Sequence, residues 1–88
     1  MVSKLIYQVS PTYPPLARAS RTQGTVSLEA VITREGTIDP QRLRVLAGHP
    51  LLTQAAVDAI LKWRYQPTLL NGQPIEIVST ITVNFSFN

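Results

Sequence analysis

Acid–base chemistry in this chain of 88 residues can come from one histidine, His49, and five carboxylates. General acid–base catalysis needs such groups within hydrogen-bond reach of one substrate. Glu29 and Glu76 could approach each other across a sheet as a carboxylate pair, but arginine and lysine are common nearby, so we interpret both as surface residues. His49 precedes a proline and is interpreted as a helix N-cap, because no second histidine, cysteine or carboxylate cluster lies near it.

The chain carries no motif that would organise these groups for chemistry. It has no Ser-His-acid spacing, no phosphate-cradling loop and no metal-ligand spacing, so we expect no enzyme activity, no metal ion and no cofactor. The absence of cysteine removes disulfides and thiolate metal sites. A hydrophobic content of 44% with 15% charged residues is typical of one small folded domain.

A net charge of +3 raises the question of nucleic-acid binding. A phosphate-binding surface needs its basic residues clustered on one face or interleaved with aromatic residues. Here they are scattered over every predicted element, which predicts an ordinary solvated surface and no nucleic-acid partner. The basic residues are Lys4, Arg18, Arg21, Arg34, Arg42, Arg44, Lys62 and Arg64.

The most informative segment is 77–88, which contains no charged residue and no proline. Apolar and polar residues alternate along most of it, which predicts a long half-buried β-strand. The predicted core face carries Ile77, Ile81, Val83, Phe85 and Phe87, and the opposite face carries Thr80, Thr82, Asn84, Ser86 and Asn88.

The remaining patterns predict two helices, two further strands and two tight turns. The segment 14–21 begins with two prolines, which favours a short helix there. Apolar residues at i, i+3 and i+4 predict the main helix over 51–63. Alternation predicts a strand over 25–33, turning at Gly36 into a return strand that is bulged near Pro40. Asn71-Gly72 is a two-residue turn signal before the last strand. The predicted core residues are Val26, Leu28, Ile32, Leu52, Ala56, Ile60, Trp63 and Ile81.

This order of elements, αββαβ, predicts an α+β fold in which the main helix covers one face of a three-stranded antiparallel sheet. A right-handed crossover places the last strand beside the first and gives the strand order 2-1-3. The C-terminal strand is then an edge. Since a long edge without charges is prone to pairing, we predict that it binds an extended peptide. Main-chain hydrogen bonds would supply much of the affinity, and Val78, Thr80, Thr82 and Asn84 would set register.

Several motifs together resemble the TonB C-terminal domain family, over about residues 10–87. They are Tyr13-Pro14-Pro15-Leu16-Ala17-Arg18-Ala19, Gln23-Gly24-Thr25-Val26, Gly36-Thr37-Ile38 and Ala56-Val57-Asp58-Ala59-Ile60-Leu61-Lys62-Trp63-Arg64-Tyr65-Gln66-Pro67. The resemblance implies a periplasmic domain that is anchored to the inner membrane in the full-length protein. It implies capture of the TonB box of outer-membrane transporters by addition to the last strand, and contact with inner-membrane motor proteins through an N-terminal part.

The resemblance assigns residues 10–88 to the domain and leaves 1–9 as a linker, a chain start or a short strand. The segment near Tyr13 lies close to the bound box in this family, which adds three residues to the predicted site. The predicted peptide-binding residues are Val9, Ser10, Tyr13, Val78, Thr80, Thr82, Val83, Asn84 and Phe85.

Two departures from the family pattern leave alternatives open. Neither a membrane anchor nor a proline-rich spacer precedes the domain here, as expected for an excised domain or for a TonB-like module of a larger envelope protein. The segment 38–43 is about two residues longer than usual, which favours a bulge or an altered hairpin. The rival to peptide capture is pairing of the same edge with a second copy, giving a homodimer.

Overall fold

A computed structural model describes residues 4–87, so the predicted position of Asn88 on the polar face lies outside the described residues. The elements are β1 (Leu5–Tyr7), α1 (Pro15–Ala19), β2 (Gly24–Ile32), β3 (Ile38–Ala47), α2 (Pro50–Ile60), β4 (Arg64–Tyr65), β5 (Thr68–Leu70), β6 (Gln73–Ile75) and β7 (Ile77–Phe85). No helix within 4–87 is long and apolar enough to cross a membrane.

The main sheet has the order β3-β2-β7, with both neighbours antiparallel to β2. This confirms the predicted α+β class and the order 2-1-3. The β2–β7 ladder is continuous, running from Gly24 opposite Phe85 to Ile32 opposite Ile77 without a register shift. β7 is therefore an edge of this sheet, as its pattern predicts.

The alternation along β7 corresponds to burial. Ile81, Val83 and Phe85 are buried, whereas Val78, Thr80, Thr82 and Asn84 are exposed. On the central strand β2 the alternate residues Val26, Leu28, Ala30 and Ile32 are fully or almost fully buried. The sheet thus has one core face and one solvated face, because successive side chains of a strand point to opposite sides.

Helix α2 covers the core face through Leu52, Ala56, Ala59 and Ile60. His49 caps it as predicted, since its Nδ1 accepts the Leu51 N–H at 3.0 Å. The remaining predicted core residues, Trp63 among them, are also buried.

Helix α2 ends at Ile60, before the predicted end at Trp63. The Trp63 N–H still bonds to the Ile60 carbonyl at 3.0 Å in a final turn. Arg64 and Tyr65 then leave the helical path to pair with β1. This correction has a tertiary cause: the Tyr65 N–H donates to the Gly36 carbonyl at 2.8 Å, a contact that no local pattern reveals.

Two small ladders extend the predicted fold. β1 pairs with β4, and β5 pairs with β6 around the predicted Asn71-Gly72 turn. Both turn residues have positive φ, 52° and 78°, as a two-residue hairpin requires. Strands of two or three residues are too short to show a period, so the sequence predicts the turn but not the pairing.

The predicted bulge in β3 is present. Ala30 pairs with Leu43 and Ile32 pairs with Ile38, so β2 advances by two residues while β3 advances by five. Pro40 lies within this excess segment, where it interrupts no ladder hydrogen bond.

Gly36 is held in the β2–β3 turn by both its conformation and its surroundings. Its φ is +87°, and a Cβ built there would overlap the Tyr65 carbonyl oxygen. Any side chain would therefore separate the turn from β4. Gly72 has a similar φ of +78° but has no neighbouring atom within 4 Å of such a Cβ.

We predict that Gly36→Ala lowers the free energy of unfolding by roughly 2–4 kcal/mol, from left-handed strain plus displacement of β4. Gly72→Ala is the matched control and should cost only about 1–2 kcal/mol, because it carries the strain alone. Urea unfolding of both variants measures the difference. Equal losses would contradict the close packing of the turn against Tyr65.

Candidate functional site

The hydrogen bonds of the β2–β3 turn identify which backbone groups of β7 face outward. The Thr33 N–H donates to the Thr37 carbonyl at 2.8 Å, so Thr33 faces β3. Alternate residues of a strand direct their N–H and C=O to opposite sides, so Ile32 and every second residue before it face β7. Their partners on β7, from Ile77 in steps of two to Phe85, are the residues that bond to β2. The Phe87 N–H, in the same phase, donates to Gln23 Oε1 at 3.3 Å.

The intervening residues, Val78, Thr80, Thr82 and Asn84, therefore direct their N–H and C=O away from β2. No other strand within residues 4–87 pairs with this side of β7, which we call the docking edge. The same four residues have exposed side chains.

Val83 and Phe85, also among the predicted site residues, are placed differently. Their side chains are 4% and 3% exposed and belong to the core, and their polar backbone groups face β2. They support the docking edge from behind and do not contribute bonding groups to it.

The other edge of the sheet, β3, is interrupted. It contains Pro40, two register shifts and the charged residues Arg42 and Arg44. Prolines, bulges and charges are features by which natural edge strands resist pairing with another chain. β7 has none of them, so the sheet has one protected edge and one open edge.

Tyr13 packs against the core side of the C-terminal end of β7. Its ring packs edge-on against Phe85 with centroids 5.6 Å apart and stacks on Phe87 at 4.7 Å. Its hydroxyl donates to the Thr22 carbonyl, which ties the segment before α1 to the segment before β2. Of the three predicted N-terminal site residues, Tyr13 is the one in ring contact with the end of the last strand.

Val9 and Ser10 lie along α2. They line a groove of about 420 Å³ with Thr12, Pro14, Leu51, Gln54, Ala55, Asp58, Ala59 and Lys62. The Val9 carbonyl accepts the Trp63 Nε1–H at 2.8 Å, which fixes the backbone beside the helix. The structure thus separates the predicted site into the docking edge and this groove. The polar groove residues of α2 were missed, because their i, i+4 spacing also describes a solvated helix face.

Glu29 and Glu76, which the sequence analysis interprets as surface residues, form two separate ion pairs to β3. Arg42 donates to Glu76 through its two terminal nitrogens, Nη1 and Nη2, at 3.1 and 2.5 Å, and its Nε donates to Asp39 at 2.7 Å. Arg44 lies 3.5 Å from Glu29. The hydrogen bond from Arg42 is the main reason that the pKa of both the Glu76 and Asp39 carboxyls lies below the ordinary value. These groups connect the sheet strands across the solvated face.

We predict that Arg42→Gln lowers stability at neutral pH and that the difference from wild type shrinks under acid conditions. Because the pKa of each carboxyl is lower in the folded state, the ion pairs stabilise the fold at pH values above the ordinary pKa, which is 4.5 for Glu76 and 3.8 for Asp39. This stabilisation is lost as the pH falls from the ordinary pKa through the lowered one. Urea unfolding between pH 7 and pH 2 measures this. Arg44→Gln, which removes only the longer contact, is the control, and a difference that stays constant with pH would contradict the assignment.

The packing of residues 4–14, which we call the N-terminal strap, should depend on Trp63. We predict that Trp63→Phe costs about 1–3 kcal/mol, because the Val9 carbonyl loses its donor and the smaller ring leaves a gap. Amide exchange of β1 should accelerate more than that of β2. Tyr7→Phe is the control, since the Tyr7 side chain is exposed and its ring is retained. Unchanged exchange in β1 would show that the strap is held by other contacts.

Comparison with known proteins finds matches to this chain in both sequence and structure. The family model for the Gram-negative bacterial TonB protein C-terminal matches residues 9–87. The chain is 35% identical to Protein TonB of Vibrio cholerae over 78 residues, which covers 89% of this chain and 32% of that protein. It is 33% identical to Protein TonB of Klebsiella pneumoniae over 87 residues, which covers 97% of this chain and 33% of that protein.

Among solved structures, the solution NMR structure of the Pseudomonas aeruginosa TonB CTD superposes with a TM-score of 0.78 at 28% identity. The match covers 97% of this chain and 86% of that one. The chain therefore spans nearly all of a solved domain but about a third of the length of the curated relatives.

Proposed function

The chain belongs to the family of Gram-negative TonB C-terminal domains, and from this membership we propose that it is the periplasmic protein-binding module of a TonB-type energy transducer. Its ligand would be the TonB box of outer-membrane transporters, captured by β-strand addition to the docking edge. The observation that carries the proposal is the open state of β7, which is unbulged, uncharged and unpaired on its outer side within the described residues.

The docking edge supports strand addition through its backbone. Val78, Thr80, Thr82 and Asn84 each offer an outward N–H and C=O, so a docked strand can make a regular ladder. A typical hydrogen bond contributes about 0.5–1.5 kcal/mol net, so several of them balance the cost of ordering a short peptide. The exposed side chains of the same residues would set register and selectivity.

Energy transduction requires that the captured segment withstand a pull. A force applied along a docked strand loads its ladder hydrogen bonds together, whereas a force across the strand breaks them one after another. In the full-length protein, inner-membrane motor proteins would supply that force through an N-terminal part with its membrane anchor. The curated relatives are about three times as long as this chain, which leaves length for such a part.

An NMR titration of the labelled domain with TonB-box peptides from candidate transporters tests the proposal. Shifts should concentrate in β7 and around Ser10–Tyr13. Repeating the titration at several protein concentrations separates the alternative, in which the same edge pairs with a second copy. Shifts that depend on protein concentration, with none caused by peptide, would favour the homodimer and overturn peptide capture.

We predict that Thr82→Pro abolishes peptide capture while the domain stays folded, because the Thr82 N–H faces the docking edge and a proline ring would occupy its place. Val83→Pro should also abolish capture, but by breaking the ladder to Val26 and destabilising the sheet.

Two control variants make this test specific to the edge. Thr82→Val retains the N–H and should retain binding. Leu46→Pro places a proline in the bulge of the opposite edge strand, between Val45 and Ala47, and should not affect binding. Capture that survives Thr82→Pro in a folded domain would show that strand addition at β7 is wrong.

A further inference from the structure

The docking edge does not end with β7, since β6 leads directly into it through Glu76. Because proline cannot donate a hydrogen bond, the orientation of Pro74 within β6 decides how far a docked strand can extend. Two features of the structure settle that orientation, the hairpin geometry and the position of β5.

The hairpin geometry turns the nitrogen of Pro74 away from β5. The two-residue turn at Asn71-Gly72 closes on the pair Leu70–Gln73, which exchanges N–H and C=O in this class of hairpin. The next pair, Leu69–Pro74, is therefore of the non-hydrogen-bonded kind. Ile75, one position further, again faces β5.

β5 lies on the same side of the chain as β2. Ile75 faces β5 and Ile77 faces β2. Exposure alternates through the junction between β6 and β7, since Ile75 and Ile77 are half-buried and Glu76 is exposed, as in one continuous strand. Residues two apart in such a strand direct their polar groups to the same side. Independently, the Pro67 ring lies 3.6 Å from the position of a Cβ on Gly36, which places the start of β5 beside the β2–β3 turn. The side opposite β2 and β5 is thus one continuous edge, and Pro74 faces it together with Glu76 and the docking-edge residues.

We propose that Pro74 is the end-stop of the docking edge. This inference rests on the proposed function and adds the length and register of the segment that the site accepts. A docked strand can pair as far as Glu76, but at Pro74 the donor is missing and the ring occupies the space where a neighbouring backbone would approach. The ligand is an extended segment that pairs opposite 76–84, and its chain must leave the sheet beyond Glu76.

Charge distribution favours the same boundary. β7 is uncharged, whereas Glu76 is fixed on the solvated face by the two terminal guanidinium nitrogens of Arg42. An approaching strand therefore meets neutral side chains along 77–85 and an ion-paired charge immediately before the proline. The steric stop at Pro74 and the change from neutral to charged side chains at Glu76 thus lie at the same end of β7.

A series of synthetic peptides tests the end-stop. Each contains one TonB-box core that binds the wild-type domain, extended by none, two or four alternating Val-Thr residues, with separate series for the two peptide ends. For the series that reaches Pro74, wild-type affinity should not change with length. In Pro74→Val the longer peptides should bind roughly two- to fivefold more tightly than the core, and the new backbone amide at position 74 should become protected from exchange.

Pro40→Val is the matched control, because it makes the same substitution on the opposite edge strand and should leave the length dependence flat. Longer peptides that bind the wild type more tightly in both series would overturn the end-stop while the proposed function stands. A flat length dependence in folded Pro74→Val would also overturn it. Failure of every core peptide to bind the folded wild type would overturn both.

Discussion

The uninterrupted β2–β7 ladder is the interaction on which the rest of the structure depends. Because no register shift occurs from Gly24–Phe85 to Ile32–Ile77, the alternation of side chains and the alternation of hydrogen-bonding groups stay in phase along the whole strand. Alternate residues from Ile77 to Phe85 therefore direct their side chains toward the core and bond to β2 through their backbone groups. The residues between them have exposed side chains and outward backbone groups. A single bulge in this ladder would mix the two sets and would destroy the regular edge.

The strap and α2 support this ladder from the core side. Trp63 holds the Val9 backbone beside the helix, and Tyr13 continues the same segment to the rings of Phe85 and Phe87. The N-terminal segment thus contacts both the residues that follow α2 and the C-terminal end of the last strand. In a small domain with limited core volume, such contacts add buried area at the point where the last strand would otherwise fray.

The sequence predicts those parts of the fold whose information is local and periodic. The alternation in β2 and β7, the stripe on α2, the proline in β3 and the glycines of two turns identify the main elements and the edge. It leaves β1 open as one of three interpretations of residues 1–9 and does not predict β4, β5 or β6, since strands this short are stabilised by tertiary contacts such as that between Gly36 and Tyr65. Nor can alternation alone show which backbone phase of β7 faces outward. The hydrogen bond from the Thr33 N–H to the Thr37 carbonyl identifies that phase. It also shows that the backbone groups of Val83 and Phe85 face β2, so these two residues lie behind the docking edge and not on it.

An exposed strand edge can pair with an unwanted chain, and the two edges of this sheet differ in their protection against such pairing. β3 carries a proline, register shifts and arginines along its length, whereas β7 carries none of these until the chain is followed back to Glu76 and Pro74. If the open edge were merely tolerated, one would expect protective residues to be scattered along it. They are instead absent from β7 itself and present just before its N-terminal end, in Glu76 and Pro74. This arrangement is expected of an edge selected to pair with one segment of limited length, and it also limits the edge available to unwanted strands.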